Sequence, residues 1–272
     1  MTRPILFLSD YGLADEFVGV CHAVMVRIAP GSPIIDLAHE ILPQDVPRGA
    51  AVLRQAARHG PRNGVYVAIV DPGVGTERRP VAIEAGGAFL VGPDNGVLST
   101  AWTELGGARR AFKISSREVM LDKVSPTFHG RDVFSPCAAH LSNGMSIEEV
   151  GDEVDPATLV EVALPGARIE PGYVHCKVIG IDRFGNVQLS ARPDDLSEAG
   201  IPSDDLIHIR AGGRGYDMAV RETFAHVDEG ERVVVLDSAG FHTLAKNRRH
   251  AAKEFGIRVG DHVVLAPVTP EV

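Results

Sequence analysis

The sequence predicts an α/β chain: an N-terminal α/β domain with a largely parallel sheet, followed by a smaller C-terminal β-barrel domain. Three observations carry this expectation. Up to about Val150, short apolar runs alternate with stretches of helical period, the pattern of strand and helix layers packed on one sheet. Beyond it, past Pro156, Pro165 and Pro171, strand follows strand with little helix between. The length of 272 residues is long for a single core and suits either two domains or one large α/β domain. The division falls into 1–165 for the α/β domain and 166–272 for the barrel.

The elements follow in order. Ile5-Leu6-Phe7-Leu8 reads as a buried strand that stops at Asp10 and Gly12. Phe17, Val18, Cys21, Val24, Met25 and Ile28 recur with a helical period that Pro30-Gly31 ends. Ile34 to Leu37 is a second strand, and Asp45 can cap a helix from Val46 to His59, with Gly60 just past its end. Val65 to Val70 is a third strand, which delivers Asp71 at its C-terminal end. Val81 to Glu84 and Phe89 to Val91 read as strands, Gly96 to Leu105 as a helix, and Val133 to Leu141 as a helix capped by Asp132. In the C-terminal part, Tyr173 to Ile181, Val187 to Ser190, Leu206 to Arg210, Met218 to Phe224, Arg232 to Leu236 and His262 to Leu265 are the expected barrel strands.

Composition narrows the function. A formal net charge of -9 with scattered Lys and Arg argues against a nucleic-acid partner, which needs clustered cations. The one basic run, Lys246 to His250, reads as a solvated helix face. The apolar run at residues 5–8 is too short for a membrane span or a signal-peptide core. Cys21, Cys137 and Cys176 lie apart in apolar surroundings without CxxC spacing, so each reads as a small buried hydrophobe in a reducing compartment, and a cytoplasmic location is expected.

Asp10 and Asp71 both fall at strand ends, where ligands of open α/β sheets gather. As single residues they are equally well read as acids bonding loop backbone. The loop VDPGVGTERRP is more particular. Pro72 biases Asp71 toward extended backbone, Gly73 and Gly75 permit close approach, and Arg78 returns seven residues later. It is not a dinucleotide fingerprint, because a third glycine is missing and a strand follows where a helix should begin. SPTFHGRD sets His129 just before a predicted helix. No His-Glu-x-x-His or paired-cysteine pattern occurs, and only His129 with Asp132 has ligand spacing, so no metal is expected. Ser9 and Ser238 lack the nucleophile-elbow pattern. IDRFGNV reads as a hairpin turn, for which Asp182, Gly185 and Asn186 have sufficient backbone reasons.

Taken together, ILFLSDYG, VDPGVGTERRP, VGPDNGVL, SPTFHGRD, IDRFGNV and LDSAG resemble the S-adenosyl-L-methionine hydrolase family. These enzymes, also called hydroxide adenosyltransferases, are related to the fluorinases and chlorinases. The resemblance runs in order over nearly the whole chain. It implies an α/β domain, a β-barrel, a homotrimer, and an adenosyl site at the interface between neighbouring subunits. It also implies that Asp71, Arg78 and His129 position the attacking water and that Asp10 binds the ribose hydroxyls. Asn186 then contacts the adenosyl group, Asp182 and Ser238 hold the methionine amino and carboxylate groups, and Phe184 walls the pocket. Arg79 is left as a surface residue.

The implied reaction is hydrolysis of S-adenosyl-L-methionine to adenosine and L-methionine, with no cofactor and no metal. Attack at C5′ of a sulfonium expels a neutral thioether, so the demand falls on the nucleophile, a water of pKa ~15.7 when free. Whether Asp71 or His129 takes its proton stays open on the sequence. Two alternatives stand beside this one. A halide-dependent adenosyltransferase is disfavoured because halogenases of this kind carry non-ionisable or phenolic residues at the positions of Asp71 and His129. A non-catalytic adenosyl-ligand binding module would retain the pocket and turn over negligibly.

Overall fold

Alternate residues of the first strand face opposite layers. In β1 (Ile5–Ser9), Ile5 and Phe7 pack into one apolar cluster while Leu6 and Leu8 pack into another. β3 (Val65–Ile69) repeats the arrangement, with Val65, Val67 and Ile69 on the first side and Tyr66 and Ala68 on the second. Burial on both faces is why these strands read as unbroken apolar runs rather than alternating ones. Each large side chain so buried contributes ~1.5–3 kcal/mol relative to exposure.

The computed structural model describes residues 2–202 and 206–268. The chain divides into two compact units, 1–164 and 165–272. In the first unit, α1 (Phe17–Ile28) follows β1, and β2 (Ile34–Ala38) pairs parallel to it. α2 (Val46–His59) is capped as its sequence predicts: Asp45 accepts the Arg48 N–H at 3.0 Å, and Pro47 sits in the first turn. Such a cap contributes ~1 kcal/mol. β4 (Pro80–Ala85), β5 (Ala88–Pro93), α3 (Ser99–Glu104), β6 (Arg110–Ile114), α4 (Ser135–Ser142) and β7 (Gly151–Val154) complete the unit.

The sheet order is β2-β1-β3-β5-β4-β6-β7. β2, β1, β3 and β5 are parallel, and β4, β6 and β7 run antiparallel at the far side. The turn at Gly86 and Gly87, with φ of 56° and 90°, closes a tight β4–β5 hairpin and so starts the antiparallel arm. One face is covered by α1 and α4, the other by α2 and α3.

Two helix starts differ from expectation. α3 begins at Ser99 rather than Gly96, because Gly96 takes a left-handed φ of 98°. The helix expected from Val133 is entered through a π-helical turn, Gly130–Phe134, before α4. Asp132 does not cap it. Its buried carboxylate accepts the Ser125 N–H at 2.8 Å and the Arg131 guanidinium, and so holds the preceding loop.

The second unit holds β8 (Arg168–Glu170), β9 (Tyr173–Ile181), β10 (Val187–Leu189), α5 (Pro193–Glu198), β11 (Leu206–Ala211), β12 (Arg214–Arg221), β13 (Arg232–Leu236), β14 (His242–Lys246), α6 (Ala251–Phe255) and β15 (His262–Pro267). The sheet runs β10-β14-β13-β12-β11-β15-β9, and β9 pairs again with β10, which closes a barrel with β8 added on β9. The basic run 246–250 is not a helix face. Lys246 ends β14 and pairs with Glu254, while His250 caps α6 through the Lys253 N–H. Among the described residues no helix is long and apolar enough to cross a membrane.

Candidate functional site

β1 and β3 lie side by side in parallel, with Ser9 opposite Ile69. Asp10, one residue past β1, and Asp71, two residues past β3, therefore come to the same end of the sheet. Asp10 is tied to the β3 edge by its N–H to the Ile69 carbonyl at 3.2 Å. Its Oδ2 accepts the Gln44 N–H at 2.9 Å, from a residue held at a left-handed φ of 68°. Burial pushes the Asp10 carboxyl above its ordinary value, with a smaller push from the neighbouring Asp71 charge.

Asp71 is locked by Arg78. The Arg78 Nε donates to Oδ1 at 2.9 Å and to Oδ2 at 3.0 Å, and Nη2 donates to Oδ2. The two side chains are only 6% and 9% exposed, so the loop returns Arg78 to its acid in a nearly dry setting. The glycines permit this. A Cβ on Gly73 would stand 3.1 Å from the Arg78 Cγ, and one on Gly75, at φ 77°, would stand 2.5 Å from the Pro126 carbonyl oxygen. The second contact also brings the loop of SPTFHGRD alongside.

His129 enters from that second loop, directly before the π-helical turn. Its Nδ1 lies 2.9 Å from Arg78 Nη2, and a guanidinium can only donate. Burial first, and the Arg78 charge second, hold the imidazole below its ordinary pKa. Arg78 thus bridges Asp71 and His129, with its guanidinium also set 5.1 Å from the Phe134 ring centroid. Beside them Tyr11, Phe17 and Phe128 form an aromatic cluster with centroids 5.1–5.7 Å apart. Gly130 is needed there, because a Cβ on it would collide with the Tyr11 hydroxyl.

Sequence reasoning missed the support beneath this trio. Asn95 Nδ2 donates to the Val70 carbonyl at 2.8 Å, fixing the backbone just before Asp71. Arg79 is not a free surface residue: its Nε donates to the buried Asp94 at 2.7 Å and its Nη1 to Thr158 at 3.0 Å. Asp94 in turn accepts the Val160 N–H at 2.8 Å. The polar pair in VGPDNGVL was the available signal, since an Asp-Asn step after an apolar strand marks a backbone-bonding turn.

The remaining expected residues lie in the second unit. Asp182, Phe184 and Asn186 share one hairpin turn, in which Asp182 Oδ1 accepts the N–H groups of Phe184 and Asn186, each at 2.9 Å, and Oδ2 accepts Asn186 Nδ2 at 2.8 Å. Gly185, at φ 88°, packs this turn on His250. Phe184 is 75% exposed, and with Asn186, Phe224 and residues 246–250 it lines an open cleft of about 530 Å³. Ser238 is exposed in the β13–β14 turn, which Asp237 closes by accepting the Ala239 and Phe241 N–H groups at 2.9 and 3.0 Å. That turn adjoins Ala191, at the opposite end of β10 from the turn holding Asp182. Within the first unit the structure gathers Asp10, Asp71, Arg78 and His129. Within the second it gathers Asp182, Phe184 and Asn186, with Ser238 beyond the other end of β10.

Residues 5–151 match the model of the SAM hydroxide adenosyltransferase N-terminal domain, and residues 176–264 match that of the C-terminal domain. The chain belongs to the SAM hydroxide adenosyltransferase family. It is 42% identical over 262 residues to the (R)-S-adenosyl-L-methionine hydrolase of Salinispora tropica, covering 96% of this chain and 97% of that one. A fluorinase of Actinopolyspora mzabensis is 29% identical over 287 residues, covering 95% and 96% respectively. A crystal structure of an uncharacterized conserved protein from Thermotoga maritima is similar, with a TM-score of 0.88, 36% identity, and coverage of 96% and 99%. The chain thus stands nearer in identity to that hydrolase than to that fluorinase.

Proposed function

We propose that this protein hydrolyses S-adenosyl-L-methionine to adenosine and L-methionine, without metal or cofactor. The observation that carries the reading is Arg78 bridging Asp71 and His129 at a strand-end site, in a chain 42% identical to a hydrolase of that name. Water attacks C5′: an O–C5′ bond forms, the C5′–S bond breaks, and the thioether leaves neutral. The water proton goes to Asp71. His129 is the poorer acceptor, because its Nδ1 is already occupied by Arg78 and its neutral ring carries the proton on Nε2. That Nε2–H is suited to hold the water oxygen in line. Arg78 balances the carboxylate and the hydroxide-like charge that develops.

In this reading Asp10 receives the ribose hydroxyls, and the cleft beside Phe184 and Asn186 receives the adenosyl group, in a homotrimer with sites between neighbouring subunits. Asp182 and Ser238 contact the methionine end. Residence in the cytoplasm is supported by three buried cysteines without disulfides, whose thiols burial pushes up, that of Cys21 to about 11 and that of Cys176 to about 12.

Purified protein incubated with S-adenosyl-L-methionine, with and without chloride, followed by chromatographic separation of products, tests the reading. Equal amounts of adenosine and methionine, lost in Asp71→Ala and His129→Ala, are expected. A 5′-chloro nucleoside would establish the halide-dependent reaction instead, and retained, unreacted ligand would establish a binding module.

A further inference from the structure

A second polar cluster, outside the site described above, joins α1 to β2. His22 Nε2 and His39 Nε2 approach the same atom, Asp36 Oδ1, at 2.8 and 2.9 Å. Among the described residues this is the one trio whose ligand atoms all lie within 4.8 Å of one another. We propose that His22, Asp36 and His39 form a binding site for a divalent transition-metal cation such as Zn²⁺ or Co²⁺.

The donor set fits that class. Two imidazole nitrogens and one carboxylate oxygen are the ligands that borderline cations choose, and three protein ligands leave positions for water. The spacing suits a shared ion: donors held at ~2.0–2.1 Å from one tetrahedral centre stand a little over 3 Å apart, and each imidazole nitrogen lies 2.8 or 2.9 Å from the Asp36 oxygen, so those two separations need only small outward shifts. Two neutral imidazoles with one carboxylate carry a single negative charge, which a dication overcompensates without stranding a buried charge. Asp36 is 48% exposed and His22 30% exposed at their side chains, which gives solvent and an ion a path to the cluster.

His39 has the supporting shell that metal-bound histidines require. It is buried, its ring stands edge-on to Phe7 at 4.7 Å, and its Nδ1 lies 2.7 Å from the Oγ of fully buried Ser9. A hydroxyl donates or accepts with equal ease. Without an ion, Ser9 donates to Nδ1 and the Nε2–H donates to Asp36. With one, the ring proton moves to Nδ1 and donates to Ser9, which frees the Nε2 lone pair for the cation with no net loss of a proton from the ring. A buried imidazole needs a partner on its second nitrogen in either state, and the Ser9 hydroxyl is one that can serve both.

The test uses the full chain, stripped of metal by chelator and dialysis, with Co²⁺ followed by visible absorption and Zn²⁺ by calorimetry. One Co²⁺ per chain, displaced by Zn²⁺, is expected, with a rise in the thermal unfolding temperature on binding. Asp36→Asn and His22→Gln, both at partly exposed positions, should each weaken Zn²⁺ binding by ~10-fold or more while leaving the far-ultraviolet circular dichroism unchanged. His208→Gln, which removes the exposed His208–Asp217 pair, should leave binding as it is. Absence of saturable binding, or an affinity unchanged in both cluster variants, or an equal loss in His208→Gln, would overturn the proposal.

Discussion

Arg78 donates to His129 Nδ1 at 2.9 Å while the same guanidinium grips Asp71 with Nε at 2.9 and 3.0 Å. One cation therefore fixes the position of a carboxylate and the tautomer of an imidazole together. The histidine must present a neutral ring to Arg78, because protonation would set an N–H against a donor and a positive charge against another.

That requirement gives a pH dependence. The folded chain holds His129 below the ordinary imidazole value of ~6.5. The unfolded chain consequently takes up the proton first as pH falls, so His129 contributes stability that is present above ~6.5 and lost as pH drops through the folded pKa. Activity should survive into mildly acidic solution and then decline. In His129→Gln, which can still accept from Arg78, the acid limb of the kcat/KM profile should disappear while part of the rate remains. Retention of an identical acid limb in that variant would show that another group titrates.

The Asp71–Arg78 pair is nearly dry, so removing one partner strands the other. Asp71→Ala should cost ~3–5 kcal/mol of unfolding free energy and lower the rate by ~10²-fold or more. Arg78→Lys should also be inactive, since a point-charge ammonium cannot hold the carboxylate at two oxygens and reach His129 as well. Urea unfolding and product chromatography on the same preparations check both halves.

Asp10 predicts a division between stability and binding. Its carboxyl is raised by burial, so folding disfavours the ionised form, and stability from this group falls as pH rises through the folded pKa. Asp10→Asn keeps an acceptor for the Gln44 N–H and removes the charge. It should leave the protein at least as resistant to urea at neutral pH. If Asp10 accepts from ribose hydroxyls, the variant should raise KM by ~10-fold or more. A lowered kcat with unchanged KM would remove Asp10 from ribose binding.

Gly75→Ala tests whether the two loops are held by their close approach. The left-handed φ of 77° and the Pro126 carbonyl 2.5 Å from the added methyl should cost ~1–3 kcal/mol. Because the strain falls between the loops that carry Arg78 and His129, turnover should drop more than unfolding stability does. Gly106→Ala, also at positive φ but with nothing within 4 Å of the methyl, is the control, and its activity should stay near that of the parent protein.

Much of this was legible in the chain itself. The apolar runs at residues 5–8 and 65–70, the Asp45 cap and the helical period from Phe17 to Ile28 are local signals, and each appears as an element with those bounds or nearly so. The motifs also named Asp71, Arg78 and His129 as candidates. Short strands without strong alternation were harder. His242–Lys246 was hidden because a strand that closes a barrel draws its stability from partners far along the chain.

The sequence by itself determined the strands and helices whose signals are local, and which polar residues the loops after them would carry, because propensity, capping and periodicity act over a few residues. Only the tertiary structure decided which polar residues meet. Arg78 reaches His129 across 51 residues of chain, Asn95 reaches back to Val70, and His22, Asp36 and His39 converge because β2 pairs with β1 beneath α1. Tautomer, charge balance and the direction of each pKa shift depend on those meetings, since electrostatic and hydrogen-bond energies fall off over a few ångströms of space whatever the separation along the chain.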